Sequence, residues 1–532
     1  MARIRERKAV RSWLILLAVL AACEPSEPLP APRPELHEAE LFCPEQWIEN
    51  AEQIPACIAA DIFEDAPRAA VIPRAKKQWE AELGGENAAR PHIKARLAGW
   101  PSQLLADPAA LPHEPRPFLR RVAADTWRGL QALVDRDHGL PIDNVHFANQ
   151  SVGDADFRLG DYASSTNLGL YLMAIVAARE LEFLAPEDAL QRARLLIDTV
   201  RQLETYNGFL FNYYDTTSLE RTSNFVSFID SAWFTAGLMV ARQALPPLRP
   251  VIDELIGQID YRFFYDEGVR RMSHGYDVGL QSRSRYHYGV FYTEARLASL
   301  IAIGKGDVPA LHWGAMDRHM PAACGTTAAW PDCAAGSAVL ASQRPYSEWR
   351  GIRYIPSWGG SMFEALMPVL VIDEPKHSPA ALGANGAAHA QIQRLYATGE
   401  LRYPVWGMSP SINPATGQYG EFGVALLGSR GYNESVVTPH AAALALAVAP
   451  EEATENLRQL ATRYRIYGEY GFYDAVRPEN GQVSHSYLTL DQAMILIAIA
   501  NHLADHAIQR YFEADPIAAA ALPLVREEHL FD

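Results

Sequence analysis

Four carboxylates stand at the same kind of place in this chain: Asp230 in Ser227-Phe228-Ile229-Asp230-Ser231, Glu294 in Tyr292-Thr293-Glu294, Glu364 in Ser361-Met362-Phe363-Glu364, and Asp491 in Thr489-Leu490-Asp491-Gln492. Each opens a run that is apolar on nearly every face, and Ser164-Ser165-Thr166-Asn167 opens a fifth without an acid. Singly, such an acid is a cap or a first-turn residue that favours the helix dipole. Two more acids, Asp215 and Asp474, close the aromatic runs Phe211-Asn212-Tyr213-Tyr214-Asp215 and Tyr470-Gly471-Phe472-Tyr473-Asp474. Carboxyls gathered among aromatic rings suit glycosidic bond cleavage, which needs one protonated acid and one base across the scissile bond. Other chemistries lack their parts. No His or Cys cluster has metal-ligand spacing, Gly304-Lys305-Gly306-Asp307 follows a helix with the wrong spacing for a phosphate loop, and there is no nucleophile elbow. No metal and no cofactor is expected.

These acids need elements that aim them together. The runs 168–178, 229–241, 295–303, 363–372 and 493–500 are apolar all round, too short to span a bilayer, and so expected as buried helices. Helix 187–205 is of another kind: Leu190, Ala193, Leu196, Ile197, Val200 and Leu203 share one face, and Asp188, Arg192, Arg194, Arg201 and Glu204 take the other. Alternation of half-wet and wholly buried helices predicts two concentric layers in a ring, with the buried set inside. If the inner helices run parallel, Asp230, Glu294, Glu364 and Asp491 converge on one cavity. Glu294 is expected in the first turn of its helix behind Thr293 as N-cap, where burial raises its pKa and the helix terminus lowers it. The joints 206–225, 276–291, 404–435 and 467–487 read as long loops or short hairpins, a size that is usually functional.

The 532 residues allow one large domain or two, and a net charge of −16 argues against nucleic acid as a partner. Aromatics at 10%, with 23 Tyr and 11 Trp, fit a cleft that stacks on the apolar faces of sugar rings. At the N-terminus, Arg3, Arg5, Arg7, Lys8 and Arg11 precede a short apolar stretch ending Val19-Leu20-Ala21-Ala22-Cys23. That pattern resembles the lipobox of bacterial lipoproteins, so residues 1–22 are expected to be a signal peptide and Cys23 the lipidated first residue. Residues 23–35 are a Pro-rich tether, 36–116 a lead-in, and 117–532 the main domain. Four further cysteines in an exported chain, at short spacings, suggest disulfides Cys43 with Cys57 and Cys324 with Cys333.

Between about residues 120 and 510 the sequence resembles the glucoamylase-like domain shared by bacterial β-1,2-glucanases and the glycan-processing domain of cyclic β-1,2-glucan synthases. The stretches that carry the likeness include Gly139-Leu140-Pro141-Ile142-Asp143-Asn144, Ser165-Thr166-Asn167-Leu168-Gly169, Val226-Ser227-Phe228-Ile229-Asp230-Ser231, Thr293-Glu294-Ala295-Arg296-Leu297-Ala298-Ser299, Ser357-Trp358-Gly359-Gly360-Ser361-Met362-Phe363-Glu364, Tyr470-Gly471-Phe472-Tyr473-Asp474 and Asp491-Gln492. The resemblance implies an all-α, (α/α)6 barrel that hydrolyses a β-linked glucan, most of all β-1,2-glucan, in the periplasm.

By position it implies that Glu294 protonates the leaving oxygen. Asp474 would act as base, through a water and a sugar hydroxyl, with Asp230 the alternative. Asp215, Glu364, Trp358, Trp406, Tyr419 and Asn167 would line subsites. After Trp406-Gly407-Met408-Ser409 this chain has Pro410-Ser411-Ile412, where the synthase branch carries an acid, and that favours hydrolysis over cyclisation. The expectation is a monomeric, inverting-type glucanase anchored through Cys23 to the periplasmic face of a bacterial membrane, the outer one foremost. Its rivals are a glycan-binding lipoprotein without catalysis and a hydrolase of another periplasmic glycan.

Overall fold

A computed structural model describes residues 106–147, 157–318 and 346–531, all within the second of the chain's two compact units, Pro44–Asp532. All five cysteines, the signal peptide, the tether and nearly all of the lead-in lie outside the described residues. Among the described residues no helix is long and apolar enough to cross a membrane.

The helices that position the site are α1 (Pro115–Ala132), α2 (Ser165–Glu180), α3 (Pro186–Val200), α4 (Phe228–Ala244), α5 (Arg249–Gln258), α6 (Ala295–Gly304), α7 (Met362–Leu366), α8 (Leu382–Gly399), α9 (Pro439–Leu444), α10 (Pro450–Arg463), α11 (Thr489–Leu503), α12 (Ala507–Glu513) and α13 (Pro516–Arg526). Two kinds of helix alternate, as the hydrophobic pattern predicts. α2 buries every residue from Ser165 to Ala178, and α11 every residue from Thr489 to Asn501 except Leu490, so neither has a wet face. α3 buries Ala189, Ala193, Leu196, Ile197 and Val200 and leaves its charged residues outside.

The wholly buried helices pack side by side. α2 lies against α4 and α11, α4 against α6, and α9 against both α7 and α11. α6 and α7 are joined by Arg296, whose guanidinium donates to the backbone carbonyls of Glu364 and Ala365 at 3.2 and 2.7 Å. The circuit therefore closes. Outside it, α1 covers α11, α3 covers α2, α5 covers α4, α8 covers α7, α10 covers α9, and α13 covers α6. α2 and α4 touch backbone to backbone: a Cβ on Gly169 would stand 2.2 Å from the Trp233 carbonyl oxygen, and one on Gly237 2.3 Å from that of Gly169. Only glycine permits that crossing.

Two inner elements differ from the reading of the sequence. The run 363–372 is not one α-helix; Pro368 has no N–H to give, and the chain tightens into a 3-10 turn over Met367–Leu370. The sixth inner helix, α9, is six residues long and alanine-rich, so no long apolar run announces it. The joints are antiparallel hairpins and ladders, among them Thr205–Tyr206 with Phe209–Leu210, Ser411–Ile412 with Tyr419–Gly420, and Ala475–Arg477 with Gln482–Ser484. A further ladder joins Asn144–Phe147 to Ser486–Leu488, which brings the start of the domain beside its last inner helix.

Candidate active site

Every inner helix begins at the end of the ring that carries the hairpins, and at α2, α4 and α7 a serine meets the unsatisfied N–H groups there. Ser164 accepts from the Asn167 N–H at 3.0 Å, Ser227 from that of Asp230 at 3.3 Å, and Ser361 forms a reciprocal capping box with Glu364. α9 and α11 have no side-chain cap bond, and neither does α6. Glu294 itself occupies the cap position, with no side-chain cap bond, and the Thr293 hydroxyl donates back to the Val290 carbonyl at 3.0 Å. Thr293 accepts only a long bond of 3.4 Å from the Ala295 N–H, so it is not the N-cap expected of it. The Glu294 carboxyl is left for other work.

Glu294 Oε2 is buried with no hydrogen-bond partner among the described residues. Burial, then the charge of Glu364 and more weakly that of Asp230, push its pKa up to about 7, against its own backbone N–H and Arg296. Asp230 accepts the Thr166 hydroxyl at 2.6 Å and is also raised by burial, against its bonds to Ser227 and Thr166. Both acids act on Tyr288, whose hydroxyl is raised by burial and by their charges, and whose ring packs 4.3 Å from His274 and 5.8 Å from Phe228.

Two acids not singled out in the sequence join this group. Asp143 accepts from Asn167 at 2.6 Å, Asn144 at 2.9 Å and Tyr162 at 3.1 Å, and burial still raises its pKa, helped by the charge of Asp230. Asn167 thus holds Asp143. Glu421 is hydrogen-bonded to Tyr432, lies within the fields of Glu364 and Glu294, and is pushed by burial to about 8. The Tyr432 ring lies flat on Gly359, where a Cβ would come within 2.0 Å of it.

Asp474 belongs to the same end but is enclosed, 1% exposed. Its Oδ2 accepts the Ile412 N–H at 2.6 Å, and its carboxyl has an oxygen of Asp491 and a ring nitrogen of His440 within 4.8 Å. Burial raises its pKa to about 6. Its N–H donates to the Ser486 carbonyl at 3.0 Å, Ser486 pairs with His146, and the Thr489 N–H donates to the Asp143 carbonyl at 2.8 Å. A continuous path of neighbours therefore runs from Asp474 through Asp143 and Asp230 to Glu294.

Of the residues expected to line subsites, Trp358 and Tyr419 are half-buried, Trp358 under the Arg430 guanidinium at 5.3 Å and Tyr419 paired with Ile412. Glu364 is spent on architecture: it accepts from Ser357 Oγ at 2.8 Å and from the Gly359 N–H at 3.0 and 3.1 Å, pinning the loop that presents Trp358. Asp215 and the backbone of Trp406 are held by hydrogen bonds within the fold. Asp215 caps its own turn through the Thr217 and Ser218 N–H groups at 2.9 and 2.7 Å. Trp406 is buried, its backbone clamped by Asn456 at 3.1 and 2.7 Å.

Residues 286–516 match the family model described as putative glucoamylase. The cyclic β-(1,2)-glucan synthase NdvB of Rhizobium meliloti is 24% identical over 77% of this chain, which spans only 18% of that relative's length. Several solved structures share the fold. An endo-β-1,2-glucanase from Chitinophaga pinensis, in complex with sophorotriose and glucose, superposes with a TM-score of 0.60 at 16% identity, over 78% of this chain and 98% of its own. A putative glucoamylase from Bacteroides fragilis gives 0.64 at 17%, over 78% and 98%. A mutant endo-β-1,2-glucanase from Talaromyces funiculosus, in complex with β-1,2-glucan, gives 0.61 at 14%, over 79% and 91%. The likeness to the glucoamylase-like domain is therefore present in both sequence and fold.

Proposed function

We propose that this chain is a glycoside hydrolase of β-linked glucan, with β-1,2-glucan its foremost substrate, built on six inner and six outer helices of an (α/α)6 barrel. The observation that carries the reading is Glu294: a carboxyl at the mouth of a buried helix, without a hydrogen bond on Oε2, held near neutrality among other acids. A carboxyl with a pKa near 7 still holds its proton when substrate arrives, which is what protonation of a glycosidic oxygen requires. The solved neighbours that carry β-1,2-glucan or its fragments support the choice of linkage.

In this reading Glu294 donates its proton to the leaving oxygen as the glycosidic bond breaks. Asp474, ionised, takes the proton of the attacking water through a hydroxyl of the sugar, and the anomeric centre inverts. A second assignment of the base has its own support: Asp230 is half-buried and its charge acts directly on Glu294, whereas Asp474 is enclosed. Trp358 and Tyr419 stack on or border the sugar rings. The lipid anchor at Cys23, the two disulfides, the periplasmic location and the monomeric state belong to the same proposal.

Glu294→Gln keeps the shape and removes the proton. Purified protein should release reducing ends from β-1,2-glucan and the variant should release none, with binding of glucan oligomers retained. Binding without turnover by the unaltered protein would favour a glycan-binding lipoprotein instead, and turnover of a different linkage-defined polysaccharide would move the substrate.

A further inference from the structure

Acids inside this domain have a small number of structural uses. Glu374, Asp515 and Glu528 each pair with a guanidinium. Asp135, Asp215 and Asp277 close their own turns by accepting a backbone N–H two or three residues further on. Asp143 does neither. Among the described residues its carboxyl accepts from no backbone N–H and from no arginine or lysine; its donors are three neutral side chains, Asn167 to Oδ1 at 2.6 Å and Asn144 and Tyr162 to Oδ2 at 2.9 and 3.1 Å. Those donors come from α2 and from the strands Asn144–Phe147 and Tyr162–Ser164, and all three are buried. The backbone is tied as firmly: the Asp143 N–H donates to the Gly160 and Tyr162 carbonyls at 2.9 and 2.8 Å, and its carbonyl accepts the Thr489 N–H at 2.8 Å. Yet Asp143 itself is only half-buried. A rigid acceptor without a countercharge, fixed by buried partners and still open on one side, is how a binding site presents a polar group.

Its place is beside Asp230. Consecutive residues of α2 hold the two acids, Thr166 donating to Asp230 Oδ1 at 2.6 Å and Asn167 to Asp143 Oδ1 at 2.6 Å, so both carboxyls border the first turn of that helix. A carboxylate accepts about four hydrogen bonds, two at each oxygen. Oδ2 already has two donors and Oδ1 one, which leaves a single position, on Oδ1. We infer that Asp143 is a substrate-binding residue whose Oδ1 accepts a hydroxyl of the sugar lying next to the bond to be cleaved. The inference rests on the reading of the helix-entry end as a glucan site. A sugar hydroxyl is a neutral donor like the three already present, so it completes the set without bringing a charge into the site.

The probe is a β-1,2-linked glucose oligomer, titrated calorimetrically into Glu294→Gln so that it is bound without being consumed. Two donors hold the Oδ2 side, so in Asp143→Asn the amide turns its oxygen there and puts N–H in the place of Oδ1. Added to the Glu294→Gln background, this change should weaken binding by about 30-fold, the size expected for losing a hydrogen bond to a charged group. Asn144→Ala loosens the same knot of side chains from the Oδ2 side; it should lower the urea midpoint of unfolding and weaken binding by no more than about threefold, since the Oδ1 contact stays. Equal weakening by the two changes would leave Asp143 a structural tie alone and overturn the inference. So would a folded Asp143→Asn that binds like the background. Should Asp143→Asn not fold, Asp143→Glu keeps the charge and displaces the oxygens by one methylene; at least about tenfold weaker binding is then expected, and unchanged binding sinks the inference. A background that binds no such oligomer removes the glucan reading and the inference together, whereas one that binds it equally well with and without the Asp143 carboxyl removes the inference alone.

Discussion

Buried acids receive opposite treatment in two regions of this domain. In the wall, three have a guanidinium: Glu374 takes two bonds from Arg296 at 2.7 and 3.0 Å with both side chains 1% exposed, Asp515 takes two from Arg242 at 2.7 and 2.5 Å, and Glu528 two from Arg318 at 3.0 and 2.8 Å. At the helix-entry end, Asp474 is buried and Asp143, Asp230, Glu294 and Glu421 are half-buried, yet the hydrogen-bond partners found for them are hydroxyls, amides and backbone N–H groups. Burial without a countercharge raises the pKa of a carboxyl, and every one of these five is raised. The wall uses acids as fixed ions; the entry end holds carboxyls whose protons come off closer to neutral pH, Asp474 through about 6 and Glu294 through about 7. Perturbed carboxyls gathered at one end are what proton transfer calls for, which gives the contrast its functional reading.

The contrast predicts different losses from the same kind of change. Asp474→Asn at the entry end should lower kcat by about 1,000-fold if Asp474 is the base, a typical contribution of a general acid or base, while unfolding by urea hardly changes. If Asp230→Asn shows that loss instead, the base moves to Asp230. Glu374→Gln in the wall should do the reverse, leaving the Arg296 charge buried and unpaired at a cost of about 3 kcal/mol in unfolding free energy, with kcat little affected in the protein that remains folded. Next in size is the pH profile. A base that ionises through about 6 and an acid that loses its proton through about 7 give kcat/KM a narrow maximum between those values, falling about tenfold per unit on either side. A broad plateau from about pH 5 to about pH 9, measured on β-1,2-glucan, would take both groups out of the mechanism.

Much of this organisation was readable in the residues, and the parts that were not have identifiable causes. Runs such as Leu168 to Ala178 have no polar face, so burial and an inner position followed directly, and polar entries at 164–167, 227–231 and 361–364 marked where those helices start. Parallel inner helices then required the entries to meet at one end. α9 escaped because its six residues and small side chains give no periodicity to detect. Asp143 escaped because it precedes a strand, and Glu421 because its partner Tyr432 and the acids that act on it come from other segments of the fold. The settings of Asp215 and Trp406 were not legible for a related reason. An aromatic run ending in an acid reads the same whether the acid faces substrate or closes its own turn, and only the donors around it decide.

The smallest effect tests the contrast through stability alone. Glu294 has a folded-state pKa of about 7 against about 4.3 for an unfolded chain, so the folded protein binds its proton more tightly than the unfolded one. A raised pKa contributes stability that is fully present below the unfolded value and is lost as pH rises through the folded one. At pH 5 the folded state keeps the proton and gains from it. At pH 8 both states are ionised, that gain has gone, and a buried charge without a partner remains. Glu294→Gln holds a neutral side chain at every pH, so its stability relative to the parent should increase between pH 5 and 8 by about 2 kcal/mol, the order expected from a shift of this size with some allowance for partial exposure. The measurement is Tm at both pH values for the two proteins, and parallel curves would mean that Glu294 is ionised in the folded state and belongs with the wall acids. The same substitution at Glu374, whose countercharge is Arg296, should lower stability at pH 8. Opposite signs at these two glutamates are the thermodynamic form of the difference between an acid kept to give a proton and an acid kept to hold a cation.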